Sequence, residues 1–352
     1  MEEPPYPTLA LSQDLGKRWP NIESARQFSN QKLAQLKDLL VDLDSDDTSI
    51  VVLGSLGRGE FTQASDIDWY LLVDGIADPH HHNLFLEADR RIKDFTQKDV
   101  GKEKTFATFV SSHNLIHDVG GEDDTNNNLT RRLLLLLEST PLAGPVTHER
   151  VVKNILKRYL LEDRSFWRAD GHHIPHFLLN DLARLWRTMA VDFAYKLRAR
   201  SGEKWAIRNV KLRMSRKLLY VAGLLACFHS HLLLDKPDAR EQVYGDESFR
   251  PEIVEVIHSI FSDTPLDMVA SLVSKLEEDE AVSQVFRAYD EFLGVLLDSD
   301  QRKHLEQLSE AAADSDPTFQ KAREISHHFR DGLLDLFFGK KLYSLTRLYG
   351  VF

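Results

Sequence analysis

Asp66-Ile67-Asp68 places two carboxylates one residue apart at the head of an apolar run, Trp69-Tyr70-Leu71-Leu72-Val73. In extended backbone, residues i and i+2 point to the same side, so Asp66 and Asp68 stand next to each other. Like charges that close are costly without a cation between them. Hard divalent ions such as Mg²⁺ or Mn²⁺ take carboxylate and phosphate oxygens. Upstream, a second apolar run, Ile50-Val51-Val52-Leu53, ends in Gly54-Ser55. A Gly-Ser turn lets backbone N–H groups and a hydroxyl approach a phosphate with no Cβ in the way. Arg58 follows on the same turn. Its guanidinium suits paired phosphate oxygens, and it equally suits an ion pair with Glu60 or Asp66. Together these are the parts for metal-assisted transfer of a phosphoryl or nucleotidyl group.

The order Gly54-Ser55-Leu56-Gly57-Arg58-Gly59-Glu60, spacer, Ser65-Asp66-Ile67-Asp68 resembles the signature of the DNA polymerase beta-type nucleotidyltransferase superfamily. It looks most like the bacterial uridylyltransferases that modify a nitrogen-regulatory signalling protein. The specific resemblance covers about 20 residues, with a looser echo to about residue 145. It implies an NTP as substrate, Mg²⁺ or Mn²⁺ held by Asp66 and Asp68, and Gly54 and Ser55 on the terminal phosphates. Members of the superfamily hold up to two ions with three carboxylates, the third from the strand beside Asp-X-Asp. Here that strand, expected at Thr105–Ser111, has no acid. Glu103 at its start is the nearest candidate, with Asp118, Asp123 and Asp124 as alternatives. In the uridylyltransferase relatives an acid–Thr–Asn–Leu run precedes a helix near the site. By that likeness Thr125, Asn128 and Arg131 line the nucleotide pocket, although a helix cap explains Thr125 equally well.

The elements that must hold these residues are legible from periodicity. A helix is expected over Ser24–Leu43, a strand at Ser49–Leu53, a second at Ile67–Val73, a helix over Asn83–Thr96 and a third strand at Thr105–Ser111. Thr130–Ser139 reads as a helix ending before Pro141. From Glu149 onward helical periodicity dominates and no strand is evident. The expected fold is α+β: a small mixed-sheet nucleotidyltransferase core followed by an all-helical domain. The domains are then an extended Pro-rich arm at 1–23, a catalytic domain at 24–145 and a helical domain at 146–352.

Two helical stretches carry further polar groups. Asn180, Arg184 and Arg187 recur at helical spacing and share one face. Arg208 to Lys217, including Lys211, is rich in basic residues and has no acid, a local inversion in a chain of net charge −11. Such groups would grip an NTP triphosphate or an anionic acceptor; a solvated face is the plainer reading. His80-His81-His82 reads as a loop tip, and His172, His173 and His176 as a pocket wall or proton relay rather than a metal site.

Composition bounds the rest. The chain has 352 residues, enough for two domains. Its negative charge opposes broad nucleic-acid binding, so no DNA partner is expected. One cysteine, Cys227, excludes an internal disulfide framework. No run is long enough to span a bilayer, and the N-terminus lacks a signal-peptide pattern, which points to the cytoplasm and no membrane partner. The function expected is metal-dependent transfer of an NMP from an NTP to an acceptor hydroxyl, on a protein, an RNA or a small molecule. Two alternatives stand beside it: a degenerate nucleotide-binding regulator, and a tRNA-modifying or signal-nucleotide-forming defence enzyme.

Overall fold

A computed structural model describes residues 6–96, 106–168, 171–199, 202–233, 248 and 250–350. In chain order, α1 (Pro7–Asp14) and α2 (Pro20–Leu40) precede β1 (Thr48–Leu53), the helical turn α3 (Gly54–Gly57), β2 (Asp68–Val73) and α4 (Pro79–Thr96). Then come β3 (Phe109–Ser111), α5 (Ser112–His117), α6 (Asn126–Leu137), β4 (Thr140–Ala143), α7 (Pro145–Leu161) and α8 (His176–Ala199). The remainder is helical: α9 (Trp205–Arg213), α10 (Ser215–Leu233), α11 (Arg250–Phe261), α12 (Pro265–Val273), α13 (Asp279–Leu297), α14 (Ser299–Gln307), α15 (Glu310–Ala313), α16 (Pro317–Phe337) and α17 (Tyr343–Leu345). The fold is α+β, with a small mixed sheet followed by helices.

The described chain forms two compact units. One comprises 26–185 and 229–264, the other 1–25, 186–228 and 265–352. In the first, the sheet order is β3-β2-β1-β4. β1 pairs antiparallel with β2 and β4, whereas β2 and β3 run parallel. Strand alternation sends Ile50, Val52, Ile67, Trp69 and Leu71 to one face, where they meet Leu36 and Leu40 of α2 and Leu84, Ala88 and Ile92 of α4. β1 is buried on both faces, and α7 packs against it. β4 was not anticipated: it is short and contains Pro141. A sheet edge tolerates a residue that cannot donate to the ladder, and β4 is an edge.

In the second unit, α13 and α16 lie along each other, with Tyr289 and Phe329 ring centroids 5.6 Å apart. Gly332 allows the approach: a Cβ there would come 3.0 Å from Val285 Cγ2. The segment expected as an extended arm contains α1 instead. Pro7 sits in its first turn, where a missing N–H costs nothing. The Thr8 N–H and hydroxyl both donate to Asp267, at 3.1 and 2.6 Å. α9 and α10 are separate helices, broken at Met214. His80-His81-His82 opens α4 rather than tipping a loop, and His81 is buried against Asp47 at 3.0 Å. Cys227 is fully buried, and burial pushes its thiol up.

His148 of α7 offers a titration test. Its Nε2 lies 2.7 Å from the Ser139 hydroxyl. Burial, then the neighbouring His258, pushes its pKa down to about 4, against a weaker upward pull from Glu149. Between that value and about 6.5 the unfolded chain binds a proton that the folded chain refuses. Stability therefore falls as pH drops through this window, by up to about 3 kcal/mol. Urea unfolding at pH 7 and pH 4.5 should show that loss, and His148→Gln should remove most of it. An equal pH slope in both proteins would rule the assignment out.

Candidate active site

Gly54 stands where β1 turns out of the sheet, at φ +65°. Leu53 and Asp68 are direct partners in the β1–β2 ladder, so Gly54 lies beside Asp68. A Cβ at Gly54 would come 2.6 Å from Asp68 Oδ2. Both the left-handed backbone and the carboxylate demand glycine there. Gly57 is required for a different reason: a Cβ would meet the Glu138 carbonyl oxygen at 1.9 Å. The turn folds back on itself through the Arg58 N–H to Gly54 O at 3.0 Å and the Glu60 N–H to Ser55 O at 2.8 Å.

The spacer before Asp66 is pinned by local hydrogen bonds. Ser65 N–H donates to Thr62 O at 2.9 Å, and Phe61 N–H donates to the Ser29 hydroxyl at 2.8 Å. Ile67 is 2% exposed and belongs to the sheet core. Asp66 is exposed and Asp68 half-buried. Asp68 opens β2, and Asp66 lies just before the strand, so the two acids flank the buried Ile67. Tyr70 lies two residues beyond Asp68 on β2. It is fully buried, which pushes its hydroxyl up, and it lies in the field of Arg131 from α6 and of Glu138. Burial lowers Arg131, with Tyr70 opposing.

Glu138, which the sequence reading passed over, organises the turn. Buried just past the C-terminus of α6, it accepts the Gly54 N–H at 3.1 Å. Its other oxygen pairs with Arg58 Nη1. Arg58 Nε also bonds Glu60 at 2.9 Å, the tie weighed from the sequence. A buried acid at a helix C-terminus opposes the macrodipole, and that was the available signal for Glu138.

Asp124 is buried and fully engaged. Both its oxygens accept from Arg132, at 3.2 and 2.9 Å, and Arg184 adds a bond at 3.0 Å. Burial pushes its carboxyl up, but Arg132 and the Gly120 N–H outweigh that and hold it below its ordinary value. Arg132, fully buried, also reaches Tyr159 and Asp181. Thr125 caps α6 by accepting the Asn128 N–H at 3.1 Å. The Asn128 amide donates to Asn114 O at 2.7 Å. Asn180 is exposed on α8. Arg187 and Lys211 belong to the other compact unit. His173 is buried against Phe166 O at 2.9 Å, and His176 meets Ser165 at 2.9 Å.

β3 pairs with β2 only from Leu71 to Val73, away from Asp68. Ala107 N–H still donates to Trp69 O at 2.6 Å. Glu103 and Thr105 lie outside the described residues. Among the described residues no group of three His, Cys, Asp or Glu side chains can hold a metal ion. Carboxylates such as those of Asp66 and Asp68 are the donors that a hard divalent ion takes.

Gly54→Ala should cost about 1–2 kcal/mol for the left-handed backbone and displace the Asp68 carboxylate as well. Gly59, at φ +72°, separates the two effects, because a Cβ there would find nothing nearer than 3.8 Å. Gly59→Ala should lose comparable stability yet keep any activity that Gly54→Ala removes. Melting curves beside a transfer assay decide it, and equal activity in both variants would refute the Asp68 contact.

Residues 33–119 match the family model of the nucleotidyltransferase domain, a span that includes Gly54-Ser55 and Asp66/Asp68. Neither the curated proteins nor the solved structures compared with the chain give a match. No helix among the described residues is long and apolar enough to cross a membrane.

Proposed function

We propose that this chain is a divalent-metal-dependent nucleotidyltransferase that moves an NMP from an NTP to an acceptor hydroxyl. The reading rests above all on one observation: inside the matched segment, Gly54 holds a Cβ-free approach to Asp68, which opens β2 opposite Leu53. In this reading residues 24–145 carry catalysis, and 146–352 bind substrate.

Asp66 and Asp68 would hold the metal, with Glu103 as the third carboxylate. When bound, the ion supplies charge neutralisation at the phosphate and a lowered acceptor pKa. The two aspartates fix where the α-phosphate sits, which sets the line between acceptor oxygen and leaving pyrophosphate. Ser55 offers its hydroxyl, which has no protein partner among the described residues, to the terminal phosphates. The Gly54 N–H is already spent on Glu138, so Glu138 and Arg58 act by keeping the turn closed. Arg131, in the field of Tyr70 on β2, is the cation on hand for the nucleotide. Thr125, Asn128 and Arg184 support the start of α6 through the bonds described. The acceptor favoured is a protein hydroxyl, with RNA second.

The test is incubation of the protein with each α-labelled NTP and Mg²⁺ or Mn²⁺, with and without host lysate. Label transferred to a protein, RNA or small product is expected. NTP binding without transfer from any of the four would replace this reading with the non-catalytic regulator.

A further inference from the structure

Helices α9 and α16 pack against each other. Trp205, the first residue of α9, lies 5.2 Å ring to ring from Phe319 near the start of α16. Eight residues on in each helix, about 12 Å at 1.5 Å per residue, stand Arg213 and His327. Arg323, His327 and Arg330 follow Phe319 at helical spacing and form one stripe. After Arg213 the chain turns at Met214 into α10, whose first turn holds Arg216 and Lys217 and no acid.

The cations act on one another. Arg213 lies in the field of Arg323 and Arg330, Lys217 in that of Arg213 and Arg330, and His327 in that of all three arginines. Burial, then these like charges, holds Arg213 and Lys217 below their ordinary values. Counter-charge is thin. Asp331 pairs with Arg330 at 2.7 Å in a half-exposed contact, and Asp314 reaches Arg323 at 3.4 Å while 92% exposed. Among the described residues neither Arg213 nor Lys217 has a hydrogen bond or ion pair.

Half-buried like charges destabilise a fold unless an anion joins them. From this packing we infer that Arg213, Lys217, Arg323, His327 and Arg330 form a binding site for a compact polyphosphate, such as inorganic pyrophosphate or the tail of a nucleoside triphosphate. The cations converge on three helix segments rather than lining an exposed track. A nucleic-acid backbone needs a track of phosphate contacts, and the chain's net charge of −11 opposes one. The site itself lies within one compact unit. Only the link to nucleotide chemistry rests on the function proposed above.

The experiment is a titration of inorganic tripolyphosphate into the full chain without divalent metal, read by melting temperature and calorimetry. Wild type should be stabilised progressively as ligand rises above its Kd. Lys217→Gln and Arg213→Gln should melt at or above the ligand-free wild type, because repulsion is relieved, and should bind at least tenfold more weakly. Arg323→Gln, on the other helix, should weaken binding in the same way and serves if the first pair folds poorly. Asp66→Asn/Asp68→Asn should respond as wild type. A normal response in the three cation variants, or a response lost only with the aspartates, overturns the inference. The second outcome would place the anion at Gly54-Ser55 and leave the transferase reading standing. Salt-dependent binding of single-stranded RNA with no response to tripolyphosphate would replace it with a nucleic-acid surface.

Discussion

Asp66→Asn/Asp68→Asn should abolish nucleotidyl transfer, by on the order of 10³-fold or more, while the protein stays folded. That factor corresponds to about 4 kcal/mol of transition-state stabilisation, a reasonable share for metal-held phosphate chemistry. Neither aspartate is part of the sheet core: Asp66 is exposed, Asp68 half-buried, and the packing between them belongs to Ile67. Asparagine preserves the shape and removes the charge. Relief of repulsion should leave the melting temperature unchanged or raised, the signature of groups kept for function at some cost in stability. Transfer of label and thermal melting are read on the same preparation. Retained activity, or a melting temperature several degrees lower, would show that these carboxylates serve the fold instead. The single variants should each lose most of the activity, because the effects of groups acting as a unit are not additive.

Arg132→Met should cause the largest loss of stability, about 3–5 kcal/mol. Arg132 is fully buried and Asp124 nearly so, and the guanidinium bonds Asp124, Asp181 and Tyr159 at once. Removing it leaves Asp124 only Arg184 and the Gly120 N–H as partners among those named, in a site that already pushes its carboxyl up by burial. Methionine fills similar volume, so the cost isolates the charge. Adding Asp124→Asn should recover part of it, since the under-compensated buried charge disappears. Chemical denaturation of the wild type, the single variant and the double variant forms the test. A single-variant loss under about 1 kcal/mol would mean that water reaches the pair and screens it as at a surface. Activity should fall as well, because this network seats the start of α6, from which Thr125, Asn128 and Arg131 project.

The local chemistry was legible where spacing alone decides geometry. In Asp66-Ile67-Asp68 the burial of Ile67 follows from its type and Asp68 opens β2, whereas Asp66 lies before the strand, where alternation no longer fixes its direction. Gly54 was readable as a turn residue. That it must also clear Asp68 emerges from strand register, which pairs Leu53 with Asp68. Glu138 escaped because its partners, Gly54 and Arg58, lie about eighty residues away and no periodicity links them. Arg132 escaped for the same reason, sitting next to Arg131 in a run whose sequence does not say which arginine turns inward. β4 was hidden by Pro141, a residue allowed there only because β4 is an edge.

By itself, then, the sequence determined the helix-and-strand periods, the Gly-Ser turn and the strand that Asp68 opens, because each depends on contacts within a few residues. Tertiary structure decided which charges are spent inside the fold and which face outward. Arg132, Arg184 and Arg58 are committed to carboxylates, whereas Arg213 and Lys217 are gathered with other cations on α16. Charge pairing acts through space between residues far apart in the chain, so no local pattern of residue types encodes it.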